Sequence, residues 1–196
     1  MKAYMLACVT AALCAILAAC THPGHSAAPV PRPTAYPRME IPDSEYVCVD
    51  AAGTGILVNG NARTGVKPHG DSCVWIDVVY GVFASPVMHL TLTICPPGKT
   101  GSVTDNRHER MSLNLGGRRH ELTEFSTPSG WICEMAVARN SPTTPVQILA
   151  RNNDGRVLSG AMVLHTPDSL AGEPEAVAPI IDAVTRDMTV MMKNLP

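Results

Sequence analysis

The chain has 196 residues, of which 16% are charged and 4% aromatic, and its formal net charge is −2. This length suits a single domain with its own core, and the charge provides no basic surface, so nucleic-acid binding is excluded. The scarcity of aromatic rings predicts an aliphatic core and disfavours a stacking platform for sugars or bases.

The first 20 residues, MKAYMLACVTAALCAILAAC, have the pattern of a bacterial lipoprotein signal peptide. A basic start leads into an apolar run over residues 3–19, and Leu17-Ala18-Ala19 immediately precede Cys20, as in a lipobox. A transmembrane anchor is disfavoured because the Ala-rich run is marginal for a hydrocarbon core of about 30 Å. An ordinary secretory signal does not require a cysteine after the cleavage point.

We therefore predict that residues 1–19 are removed and that Cys20 carries a diacylglyceryl group and a further acyl chain such as palmitate. Two acyl chains hold a protein stably in a membrane, whereas one gives marginal binding. The predicted location is the extracytoplasmic face of the cell membrane, and the choice between two envelope membranes stays open. Residues 20–45 contain six prolines after Cys20, which predicts an extended tether, and residues 46–196 are predicted to form one globular domain.

Four cysteines remain after the signal peptide and the lipidated cysteine are set aside: Cys48, Cys73, Cys95 and Cys133. An even number in an oxidising compartment predicts two disulfides. The pairs Cys48–Cys73 and Cys95–Cys133 are preferred because they join nearest neighbours in sequence. Cys73–Cys95 is the rival, since these residues bracket neighbouring predicted strands. Short Cys-x-x-Cys spacings are absent, which disfavours a zinc site or a redox pair.

The first half of the domain is predicted to contain two irregular segments and two strands. Small residues from Val49 to Leu57 predict a short helix or turn, and residues 63–72 an exposed loop. Residues 74–83 are rich in β-branched side chains and predict a mostly buried strand. Residues 87–94 alternate apolar and polar side chains, as in an antiparallel strand with one solvated face. A long loop is predicted over residues 96–107.

Further strands are predicted in the second half. Met111, Leu113 and Leu115 alternate with polar residues, and Gly116-Gly117 then predicts a hairpin turn into residues 118–125. Residues 131–139 and 146–151 are predicted strands. Asn153-Asp154-Gly155 predicts a second hairpin, leading into residues 156–165.

A C-terminal amphipathic helix is predicted from about Ala178 to Lys193. Its apolar residues recur at three- and four-residue spacings: Val177, Ile180, Ile181, Val184, Met188, Met191 and Leu195. The charged residues Asp182, Arg186, Asp187 and Lys193 are predicted to face away from the core. The predicted fold class is α+β, an antiparallel sheet of about six to seven strands covered by this helix.

No catalytic or metal-ligating set emerges from the motifs, and no cofactor is predicted. His120-Glu121-Leu122-Thr123-Glu124 resembles the start of a zinc-protease helix, but Glu124 stands where the second histidine belongs. On a strand, His120 and Glu121 would also point to opposite faces.

The order of these features resembles a group of small actinobacterial lipoproteins of unknown function. The features are the lipobox, the Pro-rich tether, Cys48, the sequence Cys73-Val74-Trp75, alternating strands, and a closing helix that ends in Asn194-Leu195-Pro196. Members of that group are similar to PsbP-like domains, so the resemblance implies an antiparallel sheet with helices packed on it. It also implies pairing of Cys48 with Cys73, and it implies no activity.

The function predicted from the sequence is a lipid-anchored, non-enzymatic domain that binds an envelope protein or a small apolar ligand. One alternative is a metal-dependent envelope hydrolase that uses His120 with Glu121 or Glu124. The other alternative is a lipoprotein with a purely structural role in envelope assembly.

Overall fold

The computed structural model describes residues 41–43, 45–82, 85–165 and 174–196. The predicted signal peptide, the lipidated Cys20 and most of the predicted tether lie outside the described residues. The strands are β1 (Tyr46–Ala51), β2 (Thr54–Asn59), β3 (Arg63–His69), β4 (Cys73–Val79), β5 (Val87–Ile94), β6 (Glu121–Ser126), β7 (Ile132–Val137), β8 (Val146–Arg151) and β9 (Arg156–Val163). The helices of the described part are α1 (Thr100–Leu115) and α2 (Pro174–Lys193).

Seven of the strands form one antiparallel sheet in the order β3-β4-β5-β9-β8-β7-β6, while β1 and β2 pair with each other as a separate hairpin. Helix α2 packs on one face of the large sheet and α1 on the other. The predicted fold class, an α+β fold with a C-terminal helix on an antiparallel sheet, is therefore confirmed.

The sheet has two different faces because side chains alternate along each strand. On β5, the apolar Met88, Leu90 and Leu92 are fully buried against the α2 side. His89 and Thr91, which alternate with them, face the α1 side and are less buried. We call these the α2 face and the α1 face. The predicted alternation is confirmed from Met88 to Leu92, whereas at the end of the strand Thr93 is buried and Ile94 is 38% exposed.

Helix α2 buries the complete apolar stripe predicted from its spacing. It begins four residues earlier than predicted, at Pro174, and Pro179 lies inside it. The prediction for Asp187 is wrong, because its side chain is only 1% exposed. Position 187 falls three residues after Val184 and four before Met191, so helical geometry places it on the buried face in spite of its charge.

The region around Met111 is a helix and not the predicted hairpin strand. In α1, Met111 and Leu115 are four residues apart and lie buried on the same side of the helix, while Leu113 is 72% exposed. An alternating pattern of five residues contains this four-residue spacing, so it fits both structures. Gly116 ends the helix in the left-handed conformation, with φ 57°. Of the predicted loop over residues 96–107, residues 96–99 are irregular as expected, whereas residues 100–107 form the first half of α1.

Two irregular segments predicted near the domain start are strands. Residues 46–59 form the β1–β2 hairpin, whose turn places Ala52 and Gly53 at φ 50° and 74°. Two successive positive φ angles are typical of the tight hairpin turns that match strand twist. Residues 63–69 form β3, which pairs only with β4 and is exposed. An edge strand has unpaired backbone groups, and polar residues and proline keep it from pairing with another chain. These residue types made the segment resemble a loop in the sequence.

The two preferred disulfides are not formed, and all four described cysteines are free thiols. Cys95 belongs to the apolar cluster on the α1 face, whereas Cys133 belongs to the core on the α2 face, so the sheet separates them. Cys48 is exposed on the β1–β2 hairpin. Cys73 lies on β4 of the large sheet, directly opposite Thr93.

Among these cysteines, only Cys73 and Cys95 lie close together on one face of the large sheet, Cys73 on β4 and Cys95 directly after the end of β5. Cys73 Sγ is 3.7 Å from Thr93 Oγ1, and Cys95 follows Thr93 by two residues on the same face. Burial raises the pKa of Cys95, and the nearby Cys73 raises it further.

We therefore expect that any intramolecular disulfide found in protein from an oxidising compartment joins Cys73 to Cys95. Non-reducing peptide mapping checks this, and Cys133, whose pKa burial raises to about 11, should react as a free thiol only after unfolding. A Cys95→Ser variant should leave Cys73 open to alkylation. An intramolecular bridge to Cys48 or Cys133 would contradict the expectation.

A hydrogen-bonded cluster around Asp187 joins the β1–β2 hairpin to α2. Tyr46 donates its hydroxyl to Asp187 Oδ1 at 2.8 Å, and Asn59 Nδ2 donates to Asp187 Oδ2 at 3.0 Å. Burial and the adjacent Asp187 carboxylate raise the pKa of Tyr46 from 10.0 to about 12. The same two causes raise the pKa of Tyr80.

The raised pKa of Tyr46 predicts a loss of stability in alkali. The folded state holds the Tyr46 hydroxyl proton more tightly than the unfolded state does. The stabilisation that this hydroxyl provides is therefore complete below pH 10 and declines as the pH rises towards 12. Tyrosinate absorbance should therefore show a late transition near pH 12 that Tyr46→Phe removes. The same variant should lower the free energy of unfolding at pH 8 by about 1–3 kcal/mol, through the lost hydrogen bond to a carboxylate. An unchanged titration curve would contradict the assignment.

Candidate functional site

The α1 face of the sheet is only partly covered. Helix α1 packs on β8 and β9, while β3 and β4 lie beyond it at the edge of the sheet. On β4, Trp75 is 42% exposed and its ring stacks on that of His69, with the centroids 3.7 Å apart. The side of α1 that faces β5 therefore borders open, polar sheet surface.

A groove with a volume of about 140 Å³ lies between α1 and strands β5, β9 and β8. Its polar lining comes from the helix and from all three strands. These side chains are His89, Thr91, Arg107, Arg110, Asn114, Gln147 and Ser159. We call this the α1 groove.

Helix α1 supplies two arginines to the groove because positions three residues apart share a helix face. The Arg107 Nη2 atom lies 3.5 Å from Thr93 Oγ1, at the limit of a hydrogen bond. The Arg107 Nε atom is buried and has no hydrogen-bond partner among the described residues. Arg110 is exposed at the rim of the groove. The guanidinium groups therefore keep donor capacity that the protein does not use.

Strand β8 supplies Gln147, which is 2% exposed. Its Oε1 accepts a hydrogen bond from Asn114 Nδ2 at 3.2 Å, which fixes the orientation of the side-chain amide. The buried Nε2 group then has no acceptor among the described residues. A buried donor without a partner costs about 1–3 kcal/mol, so this atom is a specific reason to expect an acceptor from outside the chain.

A histidine–carboxylate pair borders the groove on the β4 side. His89 Nδ1 lies 2.7 Å from Asp77 Oδ1, and about half of each side chain is exposed. A histidine that donates from Nδ1 to a carboxylate has a fixed ring orientation. The Asp77 carboxylate is engaged by this pair, and the residues that line the groove include no acidic side chain.

A second cavity of about 440 Å³ near the start of α1 has a different character. His108 Nε2 lies 2.7 Å from Glu134 Oε2, and Asp105 and Arg151 also line this cavity. Two carboxyl groups, those of Asp105 and Glu134, therefore face the Arg151 guanidinium and the His108 ring in this cavity. The α1 groove, where basic groups are unopposed and buried donors are unpaired, is the better candidate for a binding site.

Of the residues of the predicted hydrolase alternative, His120 and Glu121 line a common cavity of about 400 Å³, and Glu124 does not line it. His120 Nδ1 lies 2.9 Å from the backbone carbonyl oxygen of Arg118, two residues earlier, and Glu121 Oε1 lies 3.8 Å from Arg139 Nε. Glu121 and Glu124 alternate to opposite faces of β6. Within the described ranges, no group of three or more His, Cys, Asp or Glu residues is placed to hold a metal ion.

The groove residues were missed by the sequence analysis for a structural reason. Arg107 was assigned to a loop and Arg110 to the residues just before a strand, so the spacing that places both on one helix face was hidden. The alternation of β5 did place His89 and Thr91 on the solvated face. No short-range signal connects them to Gln147, which is brought near by the pairing of β5, β9 and β8.

No protein family model matches the chain, and no curated protein is significantly similar to it. Neither helix of the described part is sufficiently long and apolar to cross a membrane.

Strands β5 and β9 approach each other closely at Gly160, which also lines the groove. A Cβ atom at this position would lie against the backbone oxygen of His89 and 2.6 Å from Leu90 Cδ2. The two strands would have to separate to admit it.

Gly160→Ala should therefore lower the free energy of unfolding by about 1–3 kcal/mol, the usual cost of overpacking. Denaturant midpoints measure this effect. Gly65→Ala is the matched control, because Gly65 is also a strand residue but has open space where its Cβ would lie. The control should stay within about 0.5 kcal/mol of wild type. Equal effects of the two substitutions would contradict the close approach.

Proposed function

We propose that the chain is a lipid-anchored binding domain outside the cytoplasm, and that the α1 groove is its binding site. The anchor is the diacylglyceryl group on Cys20, and the Pro-rich residues 20–45 are the tether. The domain acts without catalysis, by holding a ligand or the exposed group of a larger partner in the groove.

The buried, unpaired Nε2 group of Gln147 is the observation that carries this proposal. Native proteins pair nearly all their buried donors, so an unpaired amide that lines a groove favours an acceptor supplied by a ligand. The proposal changes the ligand class predicted from the sequence, because the lining is polar and does not suit a small apolar molecule.

A binding role is favoured over catalysis by the arrangement of the polar groups. The groove brings together hydrogen-bond donors from α1 and β8 beside a histidine that is already paired with Asp77. The hydroxyls of Thr91 and Ser159 line it, but within the described part of the chain His89 hydrogen-bonds to Asp77 and to neither hydroxyl. The pair therefore supports the groove wall and does not activate a hydroxyl.

Photo-crosslinking in native membranes tests the proposal. Benzoylphenylalanine introduced at Thr91, inside the groove, should give a light-dependent mass increase on the full-length chain. The same amino acid at Leu122 is the matched control, because Leu122 is 53% exposed on the same face of the sheet but lies on β6, outside the groove.

An adduct of a few hundred daltons at Thr91 would identify a small ligand, and an adduct of more than about ten kilodaltons a protein partner. Either result supports the binding role, provided that the Leu122 position gives neither. Equal labelling at both positions, or no labelling at Thr91, would contradict it.

A further inference from the structure

We infer that the α1 groove binds a small oxyanion group, a carboxylate or a phosphate, through Arg107, Arg110 and Gln147. This inference rests on the proposed function and names the chemistry of its ligand. Three observations support it: the charge of the groove, its hydrogen-bond donors that have no partner, and its size.

The charge of the groove favours an anion. Two guanidinium groups line it, and no acidic side chain does. The Asp77 carboxylate on the β4 side is engaged by His89 at 2.7 Å. Arginine is the residue best suited to carboxylate and phosphate groups, since its planar fork donates two parallel hydrogen bonds.

The unused donors also favour an anion over a neutral polar group. Arg107 Nε and Gln147 Nε2 are both buried, both unpaired and both part of residues that line the groove. They come from opposite walls, the helix and the sheet. An oxyanion has several lone pairs and can accept from both walls at once, whereas a single hydroxyl satisfies fewer donors.

The size of the groove limits the bound group. A volume of about 140 Å³ is roughly five times the share of one water molecule in the liquid, about 30 Å³. It is well below the range of about 300–1,000 Å³ that is usual for pockets enclosing drug-sized ligands. The groove therefore takes a head group or a small free ion, and the rest of a larger molecule would extend over the open side of the sheet, near Trp75.

Side-chain NMR on the mature chain tests the inference, with Cys20→Ser so that the protein is complete but unlipidated. Sodium phosphate and sodium acetate are the probes, at constant ionic strength set with sodium chloride. The Arg107 Nε–H and Gln147 Nε2–H₂ resonances should shift in a saturable manner with at least one probe. Gln147→Met, a near-isosteric change without donors, assigns the amide signal.

Arg110→Ala should weaken the binding of that probe by about tenfold or more, which is typical of a lost charged hydrogen bond. Arg110 lies exposed on α1, so this variant should fold normally. Arg119→Ala is the matched control, because it removes the same charge from an exposed position outside the groove and should change the affinity less than twofold.

A second experiment, with lipid vesicles, distinguishes binding of a free ion from binding of a lipid head group. Co-sedimentation with phosphatidylglycerol vesicles that depends on Arg110, and is absent with phosphatidylcholine, would place the oxyanion on a lipid. Saturable binding of phosphate or acetate without such co-sedimentation would place it on a soluble molecule. Both results support the inference.

The inference is overturned if neither probe shifts the Arg107 and Gln147 resonances and vesicle binding does not depend on Arg110. A crosslink at Thr91 together with that result would keep the binding role and reject only the oxyanion. Absence of the crosslink as well would reject the proposed function itself.

Discussion

The buried carboxylate of Asp187 is the constraint on which the arrangement of the domain depends. A charge taken out of water costs several kcal/mol unless it is paired and hydrogen-bonded, so Asp187 requires the hydroxyl of Tyr46 and the amide of Asn59. These donors belong to β1 and β2, whereas Asp187 belongs to α2. The hairpin and the helix are therefore docked by the same interaction, although 128 residues separate Asn59 from Asp187. Loss of the hairpin would leave the buried carboxylate with Arg186, whose Nε lies 4.0 Å from Oδ1, in place of two direct hydrogen bonds.

Docking of α2 assigns different roles to the two faces of the sheet. The α2 face holds most of the large buried side chains, including Met88, Leu90 and Leu92, and this burial supplies the hydrophobic stabilisation. The α1 face has a smaller apolar cluster around Met111 and Leu115. Because α1 covers only part of its face, polar side chains of β4 and β5 border a groove instead of a closed core. The groove is thus present because helix α1 covers less of its sheet face than helix α2 covers of the other.

The sequence predicted correctly those elements whose apolar spacing fits a helix but not a strand, or a strand but not a helix. The stripe of α2 fits only a helix, and the eight residues of β5 fit only a strand. At Met111 to Leu115 the pattern was too short to decide, and α1 was missed. Asp187 was placed outside because its charge was given more weight than its spacing. The disulfide pairs were chosen by nearness in sequence, but the face of the sheet on which Cys95 and Cys133 lie is fixed by strand pairing, and a count of cysteines contains no such information.

The groove could not be predicted from any motif, because its donors come from elements that meet only in the folded chain. Arg107 is placed by the helix that follows β5, and Gln147 by strand β8, which reaches the groove through β9. Each buried donor left without an acceptor costs about 1–3 kcal/mol, and the apolar cluster on the α1 face is much smaller than the core on the α2 face. The densely packed α2 face offsets this cost, since each large apolar side chain buried there contributes about 1.5–3 kcal/mol. Stability on one face of the sheet thus allows unpaired donors on the other, which is the condition that a preformed binding site requires.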